Sequence, residues 1–260
     1  MWTNYETDYG AALRDERFLA WREAGARQKA QNIVRVCSGI TVESAIEIGC
    51  GTGAVLKNLQ RLGFARRFAC ADVSAAAVQH TQQSCAIAGS DAFVGPANEL
   101  PYRDSAFDVA ILSHVVEHLR DPVAALLEAS RVARFVVVEV PTEDVLSNAI
   151  RTKVLKRPYA SIEDAGHVQF WSPRSVEAFL ERECGLQILA RHRDVIAKDI
   201  EYFGKTGIAL AKPFLKQTLK AMVPQSVYMR LLTTHSTFLC HKMDSQIGSS
   251  NEMMPTKDAS

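Results

Sequence analysis

Seven residues, Glu47-Ile48-Gly49-Cys50-Gly51-Thr52-Gly53, carry the strongest chemical signal in the chain. Glycines at the start of a helix expose backbone N–H groups, forming a site for an anionic or strongly polar ligand group that can approach the main chain closely. The spacing alone is ambiguous. Gly49-x-Gly51-x-x-Ala54, with Asp72 nineteen residues after Gly53, also satisfies the dinucleotide fingerprint, in which such an acid holds a ribose. Glu47 separates the two readings, because a carboxylate two residues ahead of the first glycine repels a pyrophosphate and attracts a cation.

A second group of chemically capable residues follows. His114-Val115-Val116-Glu117-His118 matches the H-x-x-E-H pattern of inverted zinc peptidases. Zinc there requires both histidines on one helical face plus a third ligand, whereas this stretch leaves a strand and reaches Asp121-Pro122 within a few residues. The sequence reading therefore assigns no metal. Side chains that could take a proton near the same edge are His114, Glu117, Glu143, Asp144 and His167. Gly166-His167-Val168-Gln169-Phe170-Trp171 stands out, since it follows a strand and precedes a helix. His167 either faces a substrate or is a core histidine satisfied beside Trp171, while Glu143 and Asp144 read equally well as solvated loop charges.

The elements that position these residues are legible from periodicity. Residues 10–36 place Leu13, Phe18, Leu19, Trp21, Ala24, Ala30, Ile33 and Val34 at helical spacing, predicting one or two amphipathic helices that act as a lid or buttress. Strands are predicted at 45–48, 67–71, 92–94, 107–112 and 135–140, the last stopped by Pro141, with helices from Ala54, over 74–88 and over 122–131. Alternating β and α units with near-continuously apolar strands predict an α/β, Rossmann-like doubly wound, mostly parallel sheet with helices on both faces. Right-handed crossovers then set the strand ends on one edge, where ligands bind. Residues 142–171 lack regularity, a stretch long enough to be a functional lid. Ser172-Pro173 caps a helix through Glu183, and Leu186–Ala190 and Ser236–His241 are candidate last strands. The expected organisation is a helical lid over 1–40, a main domain over 41–242 with a helical insertion at about 199–234, and a disordered tail over 243–260.

Composition limits the alternatives. The 260 residues are 47% hydrophobic, enough to fill a core, and 30 Lys plus Arg against 29 Asp plus Glu give a net charge of +1. No global field therefore draws the chain to nucleic acid or an anionic membrane, and no nucleic-acid partner is expected. The start of the chain reads as no signal peptide and no window is long and apolar enough for a membrane span, so the expected location is cytoplasmic. The six cysteines are scattered without a C-x-x-C pair, which predicts reduced, mostly buried thiols.

From Glu47 to Gly53 the chain resembles the first motif of class I, Rossmann-like S-adenosylmethionine-dependent methyltransferases, of the small-molecule type 11 kind. The resemblance continues in order through Ala71-Asp72-Val73-Ser74, through Gly95-Pro96-Ala97-Asn98-Glu99-Leu100-Pro101-Tyr102, and through 107–119. It implies S-adenosylmethionine as cofactor. Gly49, Cys50, Gly51 and Gly53 would face its methionine part, with Glu47 near the cationic end. Asp72 and Val73 would lie at the ribose, Ala97 and Asn98 at the adenine, and Ser113 and His114 at the inner edge. Family members usually carry an acid at the position of Pro96; proline cannot accept from the adenine amino group, so the main-chain N–H of Ala97 and the side chain of Asn98 would take over.

The expected reaction is methyl transfer to a small or medium-sized acceptor such as a sugar, a lipid-linked intermediate or another metabolite, with His167 and His114 as the catalytic candidates. A nicotinamide-dependent oxidoreductase and a non-catalytic binding domain are the rival readings. Arg151, Lys153, Lys156 and Arg157, and then Lys205, Lys212, Lys216 and Lys220, offer cations to an acidic acceptor or to weak membrane-surface contact, or are simply solvated faces. Tyr5 and Tyr9 are placed to close over the site. The sequence leaves the oligomeric state open.

Overall fold

A computed structural model describes residues 5–142, 149–154, 156, 166–195, 218, 221–224, 227 and 234–243. Seven strands form one sheet: β1 (Ser44–Ile48), β2 (Arg67–Asp72), β3 (Ala92–Val94), β4 (Phe107–Ser113), β5 (Ala133–Thr142), β6 (Leu186–Val195) and β7 (Thr234–Lys242). Their order is β3-β2-β1-β4-β5-β7-β6. The first five are parallel, and β7 runs antiparallel between β5 and β6.

Successive side chains of a strand point to opposite faces, so a strand covered on both must be apolar at every position. Ala110 and Leu112 join Val136 and Val138 beneath Leu126 and Ala129 of one helix, α5 (Pro122–Val132). Val109, Ile111 and Val137 join the opposite core, under Ala26, Ala30 and Ile33 of α2 (Glu16–Val36) and Leu56 and Leu59 of α3 (Ala54–Arg61). The amphipathic segment before β1 is thus two helices, α1 (Tyr5–Ala12) and α2, and the second is a wall of the core. Asp15 starts α2 by accepting from the N–H groups of Arg17 and Phe18.

Several boundaries differ from the sequence expectation. The helix expected over 74–88 is α4 (Ala75–Ser84), capped by the Ser74 hydroxyl on Ala77 N. It ends early because Ala86 takes a left-handed conformation (φ 52°) while Cys85 and Ile87 turn into the core. Pro141 does not stop β5, which runs on to Thr142. Glu139 turns its carbonyl toward β4, where it accepts from His114 N, so by alternation Pro141 turns its nitrogen to the same side. The β4 ladder has already ended at Ser113↔Glu139, so the missing N–H leaves no gap. Ser172 and Ser175 form a reciprocal capping box that opens α6 (Pro173–Ala178), which continues as a π-helical turn to Glu183.

The expected insertion near 199–234 and the tail fall almost wholly outside the described residues, as do Glu143, Asp144, Arg157, Lys205, Lys212, Lys216 and Lys220. Among the described residues no helix is long and apolar enough to cross a membrane.

Candidate active site

The parallel strands all end at one edge, and the chemically capable residues collect there. The glycine turn leaves β1 with φ values of 75° at Gly49 and 54° at Gly51, a region that only glycine enters freely. A side chain would also collide: a Cβ on Gly49 would stand 2.4 Å from Val115 Cγ2, and one on Gly51 would stand 2.5 Å from the Tyr9 hydroxyl. Tyr9 thus covers the turn from α1. The side chain of Tyr5 lies outside the described residues.

The turn is not the open cradle of N–H groups that its glycines suggest. Gly49 N and Cys50 N donate to Ala71 O (2.7 and 3.1 Å), Gly51 N to Asp72 Oδ2 (2.9 Å) and Gly53 N to Cys50 O (2.8 Å). β1 and β2 are neighbours in parallel register, Ile48 opposite Ala71, so the end of β2 meets the turn and takes its donors. A pyrophosphate would find few donors here and a buried acidic side chain beside them. That side chain is Glu47, only 4% exposed, whose Oε2 has no hydrogen-bond partner among the described residues. Its side chain also accepts the Leu56 backbone N–H, capping α3, whose own N-cap residue is the side-chain-free Gly53. Burial pushes the Glu47 carboxyl up to about 8 against the pull of nearby Lys29.

Asp72 holds the adjacent corner. Its Oδ1 accepts from Ser74 N (2.9 Å), and its carbonyl accepts from Gly95 N (3.0 Å), which brings Gly95–Asn98 beside the end of β2. Here Val73 and Asn98 are exposed and Ala97 is half-buried. Arg131 clamps the following loop from α5, donating to the carbonyls of Tyr102 (2.8 Å) and Leu100 (3.1 Å) while paired with Glu128 and Asp104. Cys50 sends its side chain away from the edge to the thiol of Cys70, with both buried.

The inner end of the edge is polar and buried. The Ser113 hydroxyl donates to Glu139 Oε2 (2.6 Å), and Thr237 of β7 donates to Oε1 (3.2 Å). Burial raises the Glu139 carboxyl, opposed by Lys29. Lys29, reaching in from α2, is lowered to about 8 by burial, offset by Glu139 and reinforced by Arg22.

His114 follows at φ 57°, a conformation in which histidine is one of the few tolerated side chains. Its Nδ1 lies 2.9 Å from Glu117 Oε1, and its ring meets that of His235 edge-on at 4.6 Å. Burial, with Lys29 and Arg22 nearby, holds His114 well below the usual imidazole range. His114 Nε2 and His235 Nδ1 are buried without hydrogen-bond partners among the described residues.

His167 also reaches this edge. Val168 N and Gln169 N both donate to Glu117 O (2.9 and 3.1 Å), strapping the segment onto the turn after β4, where the His167 ring meets that of His118 at 4.9 Å. The structure thus gathers Glu47, Asp72, His114 and His167 at one edge. Lys29, Glu139, Thr237 and His235 join them unannounced by the sequence, since they carry no local motif and arrive only through the packing of α2 and the positions of β5 and β7 in the sheet.

Comparison with known proteins matches this arrangement. Residues 46–135, from β1 into β5, match the family model described as a methyltransferase domain. A comparison with curated proteins found no match. Among solved structures, an S-adenosylmethionine-dependent methyltransferase of Thermotoga maritima is 15% identical with a TM-score of 0.58, over 92% of this chain and 99% of that one. A methyltransferase in complex with the Trm112 activator of Haloferax volcanii is 20% identical with a TM-score of 0.56, over 89% and 96%. A phosphoethanolamine-type N-methyltransferase of Haemonchus contortus, bound to phosphomonomethylethanolamine and S-adenosylhomocysteine, is 14% identical with a TM-score of 0.53, over 84% and 53%. These likenesses establish the fold, and residues 46–135 carry the match to a methyltransferase domain.

Proposed function

We propose that S-adenosylmethionine lies along the edge formed by the ends of β1, β2 and β4, and that a small or medium-sized polar acceptor is methylated beside His114 and His167. The observation that carries this reading is the buried Glu47 carboxyl, with an oxygen lacking a partner among the described residues, beside a turn whose glycine N–H groups are already used. Such a corner suits a cationic guest. When bound, the cofactor supplies a methyl group on positively charged sulfur, already activated for displacement.

The residues present fit that group. Glu47 balances the positive charge, and Gly49, Cys50, Gly51 and Gly53 present a surface free of bulky side chains. Asp72 keeps acceptor capacity for the ribose hydroxyls, since each carboxylate oxygen can accept more than one hydrogen bond. Val73 lies beside Asp72 at the ribose, and Ala97 and Asn98 flank the adenine, with Arg131 steadying the loop that follows them. Ser113, fixed by Glu139, closes the inner end.

The enzyme's main task is to hold the acceptor atom in line with the methyl carbon, which demands position more than proton transfer. His114 Nε2 and His235 Nδ1, buried and without hydrogen-bond partners among the described residues, offer hydrogen-bonding atoms to a polar acceptor. An acceptor lacking matching groups would leave them unsatisfied and be rejected. Where the acceptor atom must lose a proton, His114 or His167 receives it.

Calorimetric titration with S-adenosylmethionine and NAD tests the cofactor, and transfer of a labelled methyl group into fractionated polar metabolites tests the acceptor. Saturable heat with S-adenosylmethionine alone, and label in a small polar product, are expected. Tight NAD binding without a response to S-adenosylmethionine would overturn the first reading, and label in macromolecules alone would overturn the second.

A further inference from the structure

Glu117, His118 and His167 form a cluster whose shared geometry the methyl-transfer scheme does not require. Each brings one donor atom to within 4.8 Å of the other two, giving two imidazoles and a carboxyl around a common point. Glu117 and His118 sit together on the single turn Val116–His118 that follows β4. His167 arrives from the strap that Val168 N and Gln169 N tie to Glu117 O.

A second observation points independently to a missing partner. Glu117 is wholly buried, and among the described residues its oxygens meet only its own backbone N–H and His114 Nδ1, 2.9 Å from Oε1, neither in a well-aligned hydrogen bond. A buried carboxyl with spare acceptor capacity is unfavourable unless a polar or charged group satisfies it. His118 donates a ring N–H to the Gly166 carbonyl, which fixes its tautomer and leaves its other nitrogen with a lone pair. Metal-ligating histidines are typically oriented by this kind of bond.

From this we infer that Glu117, His118 and His167 bind one divalent transition-metal ion of the zinc type. Two histidines and one carboxylate are the protein ligands of open zinc and iron sites, which keep coordination positions for water or substrate. Ligand distances of about 2.0–2.2 Å require the three donors to draw in by only about an ångström or less. The ion would lie beside His114 and could hold an acceptor oxygen, in which case His167 serves as a ligand and His114 remains as the proton acceptor. The set differs from the H-x-x-E-H reading: His114 is replaced by His167 from the strap.

The test is direct metal binding by the full untagged chain after chelator treatment, without S-adenosylmethionine or acceptor. Its failure would therefore leave the methyl-transfer reading intact. Titration with cobalt(II) should give one site per chain with visible ligand-field absorption, displaced by zinc(II). His118→Ala and His167→Ala should each weaken zinc binding at least about tenfold while circular dichroism is unchanged. Glu117→Gln should do the same, and His167→Ala decides the matter if the buried Glu117→Gln variant fails to fold. His114→Gln should keep the site. Absence of the absorption, equal binding by wild type and His167→Ala, or loss of binding in His114→Gln but not in His167→Ala would each overturn the assignment.

Discussion

Glu47 links proton and cofactor binding with a sign that can be measured. Its carboxyl is protonated at neutral pH because burial pushes it up to about 8. A cationic cofactor favours the ionised form, so binding must release a proton below that pH. If only ionised Glu47 binds tightly, apparent affinity carries the factor 1 + 10^(pKa − pH), about 100 at pH 6 and about 2 at pH 8 with a pKa of about 8. Affinity for S-adenosylmethionine should therefore rise about fifty-fold between pH 6 and pH 8, about 2.3 kcal/mol.

Titration calorimetry in two buffers of different ionisation enthalpy reads both the affinity and the proton count. Glu47→Gln should flatten the pH slope and abolish the Glu47-dependent proton release. In the cofactor-free protein the slope reverses. The folded pKa lies above the ordinary carboxylate value, so Glu47's contribution to stability is complete below the unfolded pKa and is lost as pH climbs toward about 8. A wild-type affinity flat across pH 6 to 8, with no proton released, would refute the assignment of Glu47 to the cationic end.

Other residues give independent checks. Gly49→Ala places a methyl 2.4 Å from Val115 Cγ2 at φ 75°, and should cost about 1–3 kcal/mol in a denaturant melt. Asp72→Ala removes the acceptor of both Gly51 N and Ser74 N; a loss of about 1–3 kcal/mol in stability and weaker S-adenosylmethionine binding are expected, and unchanged affinity would remove Asp72 from the ribose. Arg131→Met frees the loop carbonyls of Leu100 and Tyr102, and amide hydrogen exchange should quicken at 95–104 before the rest of the sheet responds.

Much of the fold was written locally. The near-continuous apolar strands revealed the parallel sheet because both faces of each strand enter a core, and the glycine turn stood out because a side chain at Gly49 or Gly51 would strike Val115 or Tyr9. The direction of the turn's N–H groups was not legible, since it depends on Ala71 O and the Asp72 carboxylate across the sheet. Pro141 misled because its effect depends on where β4 ends, a matter of register. His235 was invisible because β7 is placed beside β5 by a long-range antiparallel ladder, Pro141 opposite His235. The meeting of Glu117, His118 and His167 was not legible, because the strap that carries His167 reaches the turn after β4 only through hydrogen bonds to Glu117 O.

The most direct measurement is a crystal structure of the chain with S-adenosylhomocysteine, the product cofactor. Density should run from the glycine turn to Asn98, with the ribose hydroxyls on Asp72 and the homocysteine end near Glu47. Density confined to another cleft, or a crystal grown at saturating ligand in which this edge binds none of it, would contradict the account.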